Sequence, residues 1–420
     1  MPRLPARPLE SFPLRYRDAR KRKIYTNAVE SLCALPLSIA DAFVKGFVKD
    51  EKLNLLLKLD PVPRAILPLS ARLNVIEGSI NAHREHAMFE AIDEVFGRLT
   101  VMKGYNAGER GRIIAEKWHR FADPVALGMD ASRFDQHVSM LALLFENACF
   151  LDHCTNDEER RVLSKVLSWT TSSRGKMVAT DGSVKFAREA GRLSGCMHTS
   201  SGNILLMCSM FWTFMQQFGV KWDYINDGDD CVLFLERKDV ARVSREVDAW
   251  FTDMGFTMVV EPPAYELEHV DFCQSRPVWT PSGYIMCRNP HTALVKDTVC
   301  LKRIDCEANW RSWTRSVGEC GMSLAGGIPM FQAFYGAYLR SAGDAKINKM
   351  HKAEGGLKLA SAGMHRKEQE IDDFTRLSFY AAWGILPDAQ VVAEKEYSAM
   401  LLDYHDPEPL AEPLCLPSLF

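Results

Sequence analysis

The run Trp222-Asp-Tyr-Ile-Asn-Asp-Gly-Asp-Asp-Cys-Val-Leu-Phe-Leu235 constrains the fold more than any other stretch of this chain. Two apolar arms flank a short polar centre, which predicts strand, tight turn, strand. Both arms are apolar enough to be buried, so a sheet must run through the molecule. Its turn must then hold Asp227, Asp229 and Asp230 around Gly228, although carboxylates so close repel one another. A divalent cation among them removes the repulsion, and clustered oxygen donors suit Mg²⁺ or Mn²⁺. On its own, Gly-Asp-Asp reads better as an Asp/Gly turn closing a surface hairpin, since a tripeptide match is weak evidence.

The neighbouring blocks favour the cation. "GMDASRFDQH" places Asp130 at the end of an apolar strand, 124–130, and Asp135 five residues later. In two-metal chemistry the ions lie roughly 4 Å apart and share carboxylates. Asp130 and Asp229 are the expected bridging pair, with Asp230 alongside. In "SGCMHTSSGNILL", Ser194-Gly195 reads as a flexible loop. Thr199 and Asn203 follow four residues apart, on one face of a helix. A buried amide is costly without a partner, and a ribose 2′-hydroxyl and the Asp135 carboxylate both fit. The alternative is a helix start capped by Thr199, with Asn203 satisfied by backbone. Upstream, Lys49, Lys52, Lys58, Arg64 and Arg72 are spread through an apolar, proline-stiffened segment. Cations held that way make a channel wall for phosphates.

The chain has 420 residues, more than one core usually organises, and 47% are hydrophobic. Two or three folded subdomains are expected. Helices are predicted over 25–48 with a break at Pro36, and over 84–120, 137–151, 199–218 and 239–254. Short strands follow around the Pro-Ser-Gly turn at 281–283, "RAIL" at 64–67 is β-like, and helices dominate from 290. The end, from His405, is Pro-rich and reads as a loosely ordered tail. Strands and helices mix between Asp130 and Asp271 without regular alternation, so the fold class is α+β with helical flanks. The net charge of −3 conceals a basic start, in which Asp18 is the sole acid among Arg15, Arg17, Arg20, Lys21, Arg22 and Lys23. An anionic partner is therefore compatible with the composition. Twelve cysteines show no zinc spacing; reduced thiols are the better reading than ligand pairs such as Cys149/Cys154 or His83/His86. No apolar run is long enough to span a bilayer, so the expectation is an intracellular protein, at most peripheral to a membrane.

In chain order, "RKIYTNAVESL", "FVKDEKL", "PVPRAILP", "KGYNAGERG", "GMDASRFDQH", "SGCMHTSSGN", "NDGDDCVLF", "MGFTMVVE" and "FCQSRPVW" resemble the RNA-directed RNA polymerases of positive-strand RNA viruses. The tombusvirus-like group is the nearest in pattern, and the resemblance covers roughly residues 20–305. It implies a right-hand fold with an antiparallel palm sheet. The fingers would be 1–120, with the basic motif at 47–74, and 140–190. The palm would be 121–139 and 191–288, and the thumb and tail 289–420. It also implies nucleoside triphosphates, an RNA template and nascent RNA, and two Mg²⁺ or Mn²⁺ ions. The reaction would be nucleotidyl transfer that replicates a viral genome.

By position, Asp130, Asp229 and Asp230 match the family's catalytic metal ligands. Asp135, Ser194, Thr199 and Asn203 match groups that sense the ribose and position the nucleotide. Arg64 matches the arginine that meets the triphosphate, and Lys49, Lys52, Lys58 and Arg72 fall in the same RNA-binding segment. Other viral replication proteins are implied partners, at membrane-associated complexes in host cytoplasm. A reverse transcriptase is a rival reading that Thr199, Asn203 and the Gly-Asp-Asp turn oppose. A catalytically weak or inactive RNA-binding subunit of polymerase shape is a second, opposed by the intact aspartates. Two departures stand out. Leu69 and the pair Val259-Val260 occupy places where the family commonly has an arginine and a lysine. The proton donor to the leaving group is thereby unassigned, with Lys238 a weak substitute.

Overall fold

A computed structural model describes residues 3–52, 62, 64–353 and 355–405. Lys58 and the Pro-rich tail from 406 onward lie outside the described residues. The chain divides into two compact units, the first built from 1–49, 62–103 and 120–265 and the second from 50–61, 104–119 and 266–420.

The hairpin organises the first unit. Trp222–Asp227 and Asp230–Glu236 pair antiparallel, with Asp227 opposite Asp230. Pro124–Ala131 lies along the other side of Asp230–Glu236, and the register sets Asp130 directly opposite Asp230. Met258–Val260 completes an antiparallel four-stranded sheet, which puts Val259 opposite Asp130. Residues Val125 to Met129 and Cys231 to Leu235 are all buried. Such runs are apolar without alternation because both faces of the strand are covered. The helices Thr199–Met215 and Arg237–Asp253 pack on this sheet. Phe211 bridges them, with its ring 4.6 Å from that of Tyr224 and 4.9 Å from that of Phe251.

A second sheet in the same unit runs Ala65–Ile66, Val44–Val48, Ser172–Ala179, Gly182–Glu189 in spatial order. It corrects the helical expectation for 25–48. The helix spans Ala19–Ala34, started by Asp18 accepting from the Lys21 amide at 3.0 Å. It stops before Pro36, whose ring disfavours helical backbone at the preceding residue. Val44-Lys-Gly-Phe-Val48 then forms a strand that buries Val44 and Gly46. β-Branched residues and glycine favour that outcome over a helix.

In the second unit the hairpin of Ser275–Val278 and Ile285–Arg288 packs against the helix Ala107–Trp118. Four helices, Glu307–Ala325, Phe331–Ala342, Asp373–Trp383 and Pro387–Ala399, supply most of its remaining structure. Trp313, Val317, Phe331, Tyr335 and Phe379 form its core. The Tyr335 hydroxyl donates to Asp297 at 2.6 Å, and Arg288 closes on the same carboxylate at 2.8 Å. The expected boundaries put 104–119 with the fingers and 266–288 with the palm, whereas both segments group here with the C-terminal helices. Among the described residues, no helix is long and apolar enough to cross a membrane.

Candidate active site

The turn between the two central strands is built by Asn226 and Gly228. Gly228 has φ +95°, a conformation that costs little only for glycine. The fully buried Asn226 side chain accepts from the Gly228 amide at 3.1 Å and donates to the Gly228 carbonyl at 2.7 Å. Its backbone is held from both sides, donating to Thr100 at 2.9 Å and accepting from Met102 at 2.8 Å. The turn is therefore rigid before any ligand arrives, and Asp227, Asp229 and Asp230 hang from it in fixed register.

The carboxylates carry the electrostatic cost that the sequence implied. Burial raises the pKa of Asp130. Burial also raises that of Asp229, reinforced by the nearby charges of Asp130, Asp135 and Asp227. A proton or a cation would relieve this strain. The donors are all hard carboxylate oxygens, so the chemistry of the set fits Mg²⁺ or Mn²⁺. Among the described residues, no three His, Cys, Asp or Glu side chains converge into a finished metal cage.

Asn203 joins this group from the long helix. Its amide nitrogen donates to Asp135 at 2.9 Å, while its buried carbonyl oxygen has no hydrogen-bond partner among the described residues. The capping alternative fails on two counts. The helix is preceded by His198, which makes no side-chain cap. Thr199 instead donates to the Leu193 carbonyl at 2.6 Å, with the Cys196 carbonyl at 3.2 Å. Ser194 and Gly195 are not the flexible loop expected. Ser194 accepts from the Leu67 amide at 2.9 Å, and Gly195 forms a bridge with Pro68. A Cβ on Gly195 would lie 2.4 Å from the Pro68 Cα, so only glycine permits this approach.

Ser194, Thr199, Asn203, Asp227 and Asp229 line one cavity of about 450 Å³. Two cations line it as well, Arg15 and Lys103, and Lys103 donates to Ser200 at 2.5 Å. Lys103 follows the segment that pairs with Asn226. That placement comes from long-range pairing, and no local motif marks it.

The basic segment is less uniform than expected. Arg72 spends its guanidinium on the protein, meeting Asp41 at 2.9 Å, Ser31 at 2.6 Å and the Leu35 carbonyl at 2.7 Å. It is a structural tie rather than a phosphate contact. The Lys49 amide donates to the Arg64 carbonyl at 2.8 Å, which extends the second sheet. Neither Arg64 nor Lys49 is among the described residues lining the cavity. Lys52 belongs to the second unit. Leu69 is buried with Val44, Leu73, Val166 and Leu193, which explains an apolar residue there. Val259 is half exposed beside Asp130. Lys238 lies beyond Glu236, at the far end of a strand that starts at Asp230. At about 3.4 Å per residue that is roughly 20 Å away, so Lys238 is no substitute proton donor.

Sequence reading also missed a buried ionic cluster under the start of the long helix. Glu77 and Glu146 are fully buried, and Arg192 and His198 nearly so. His198 Nδ1 lies 2.5 Å from Glu77, its Nε2 lies 3.3 Å from Glu146, and Arg192 grips Glu146 with both guanidinium ends.

The sequence profile described as viral RNA-dependent RNA polymerase matches residues 8–404. Curated proteins named RNA-directed RNA polymerase are similar along most of the chain. That of Oat chlorotic stunt virus is 40% identical over 397 residues, covering 92% of this chain and 53% of its own. That of Tobacco necrosis virus (strain A) is 40% identical over 398 residues, covering 94% and 54%. That of Carnation mottle virus is 38% identical over 388 residues, covering 92% and 50%. The chain thus spans about half the length of these relatives. With a match that runs from residue 8 to residue 404, through the aspartate-bearing sheet and into the C-terminal helices, the chain belongs to the viral RNA-dependent RNA polymerase family.

Proposed function

We propose that this chain catalyses template-directed RNA synthesis from nucleoside triphosphates, in replication of a viral RNA genome. The observation that carries this reading is the convergence of two pairs. Asp130 stands opposite Asp230 in the central sheet, and Asn203 donates to Asp135 in the same neighbourhood of charge. The first pair marks where the reacting phosphate would sit. The second marks where its sugar would sit.

Asp130, Asp229 and Asp230 would hold the divalent ions. When bound, such ions lower the pKa of an attacking hydroxyl and offset charge on the leaving group, the two-metal scheme. The remaining roles fall to the chain's own residues. Asn203 uses its amide nitrogen on Asp135, which leaves its carbonyl oxygen to accept the ribose 2′-hydroxyl. Thr199 and Ser194 fix the loop 193–196 that borders the sugar. Arg15 and Lys103 supply positive charge for phosphates entering the cavity, and Arg64 is a further triphosphate contact carried over from the family. In the hand description, the Asp-bearing sheet is the palm, the sheet of Val44–Val48 and Ser172–Ala179 belongs to the fingers, and the C-terminal helices form the thumb. Template RNA is the macromolecular ligand. Other viral replication proteins and a membrane-associated site in host cytoplasm complete the setting.

Extension of a homopolymer template, with and without primer, in Mg²⁺ or Mn²⁺ tests the reading. Incorporation that depends on template and on Asp229 supports it. Template binding with no incorporation in either metal would favour the inactive RNA-binding subunit.

A further inference from the structure

The segment ahead of the long helix contains a charge arrangement that ordinary helix capping does not require. His198 occupies the position before Thr199, yet its ring turns away from the helix to lie between two carboxylates. An imidazole can donate from both nitrogens only when protonated. Glu77 accepts from Nδ1, and the Glu146 carboxylate lies 3.3 Å from Nε2 as an ion-pair partner, so a ring flanked by two carboxylates is best matched by the imidazolium. With Arg192 on Glu146, two positive charges then balance two negative ones. Such a cluster is seldom a gain over apolar packing, because desolvation offsets the attraction. Its retention calls for another use.

The cluster's connections suggest one. It joins the helix Ala71–Asn81 through Glu77, the helix Met140–Asp152 through Glu146, and the loop 190–198 through Arg192 and His198. The long helix packs directly on it. A Cβ at Gly202 would lie 2.5 Å from Glu146 and 2.6 Å from Arg192, so Gly202 lets the helix rest on the ion pair. Asn203 is the next residue. On the other side, the Arg192 amide donates to the Asp135 carbonyl at 2.7 Å. The Asp135 carboxylate accepts from Asn203. The path from Asp135 through Arg192, Glu146 and Gly202 to Asn203 and back to Asp135 is closed.

We propose that the buried cluster of Glu77, Glu146, Arg192 and protonated His198 positions the Asn203–Asp135 pair and thereby sets discrimination between ribose and deoxyribose. These are positioning residues, and the idea rests on the reading of Asn203 and Asp135 as sugar-sensing groups. Burial alone would drive the proton off His198, but Glu77 and then Glu146 outweigh it and its pKa is raised. The other titratable or charged groups around the cluster are the Cys196 thiol, Asp135 and Arg188, the last donating to the Arg192 carbonyl. The Phe150 ring closes one side, in a T-shaped contact with the imidazole.

The test uses Glu77→Gln, which keeps size and one acceptor but removes a charge from His198. The readout is the ratio of kcat/KM for a ribonucleotide to that for its deoxyribonucleotide on one primed template, from pH 6 to pH 8. The ratio cancels pH effects common to both sugars. The wild-type ratio should hold to higher pH than the variant's, because Glu77 raises the His198 pKa. In Glu77→Gln it should match wild type at pH 6 and fall about fivefold by pH 8, the loss of roughly one hydrogen bond's net worth. The change should appear in KM for the ribonucleotide. A Glu77→Gln ratio equal to wild type at both pH values overturns the proposal. Should Glu77→Gln fail to fold, Arg192→Lys takes its place: it keeps the charge, loses the two-pronged grip, and should lower the ratio at every pH. An unchanged ratio there overturns the proposal equally. Asn203→Ala separates the two layers. If its ratio is unchanged, the sugar-sensing reading falls and takes this proposal with it. If its ratio falls while the cluster variants match wild type, only the cluster's role is lost.

Discussion

Replacing Asp130 by Asn should stabilise the metal-free protein while ending its activity. Asp130 faces Asp230 across the central sheet, and its charge also raises the Asp229 pKa. Like charges directly opposite on neighbouring strands each cost about 0.2–1 kcal/mol, and Asn removes one such pair without changing shape. Asp130 has its own carboxyl pKa raised by burial. The penalty therefore sets in as pH rises past the ordinary value of 3.8 and is complete above the raised one. At neutral pH the gain should be about 0.5–1 kcal/mol, or roughly 1–4 °C in Tm for a unit of 150–250 residues. Divalent cations should reverse the ranking. A ligand at about 100 times its Kd stabilises the state that binds it by roughly 2.7 kcal/mol. Thermal melts of wild type and Asp130→Asn, in EDTA and in saturating Mn²⁺, measure both effects. The variant should melt higher in EDTA, and Mn²⁺ should raise wild type alone. If Asp130→Asn melts lower in EDTA, or gains as much from Mn²⁺ as wild type, the repulsive-site reasoning is refuted.

Four further outcomes follow from the geometry. Asn203→Ala and Asp135→Ala should each lower ribonucleotide incorporation more than deoxyribonucleotide incorporation, and the double variant should lose less than the sum, because the two act as a unit; matched kcat/KM values check this. Arg15→Ala and Lys103→Ala should each make the slope of log binding constant against log salt on single-stranded RNA about 0.7 shallower. Arg72→Ala should leave that slope alone and instead cost about 1–3 kcal/mol in denaturant unfolding, since it removes hydrogen bonds from a charged group. Raised in the folded state, the His198 pKa adds stability that is fully present below its ordinary value of 6.5 and lost as pH rises through the raised value. His198→Gln should flatten that part of the melting-temperature profile, and an unflattened profile would place the proton elsewhere.

Much of the central site was legible because its signals are local. The apolar arms around Asp227–Asp230 could only pair with each other, and Asp130 closed a strand that needed a neighbour. Thr199 and Asn203 were readable as one helix face from their spacing. Asp135 was also readable as a partner for Asn203, and the two meet; the Leu193 carbonyl was not readable as the partner of Thr199, since it reaches that hydroxyl only through folding. The ionic cluster escaped notice for the same reason. Glu77, Glu146, Arg192 and His198 are scattered over more than a hundred residues, and each alone looks like an ordinary surface charge. Arg72 misled in the opposite sense, because a basic residue in a basic segment gives no local sign that Asp41 and two carbonyls await it. Residues 44–48 read as a continuation of the preceding helix until the neighbouring strand at 172–179 was available to pair with them.

The central claim is that the aspartates of this sheet and turn drive nucleotide addition. Single-nucleotide incorporation into a primed RNA template, followed under single-turnover conditions, tests it most directly when wild type is compared with Asp229→Asn at equal template occupancy. The account predicts template-dependent incorporation by wild type in Mg²⁺ or Mn²⁺. In the variant it predicts a rate lower by at least about 10²–10³, the scale of losing a group that stabilises charge in a transition state. Incorporation by Asp229→Asn at the wild-type rate would contradict it.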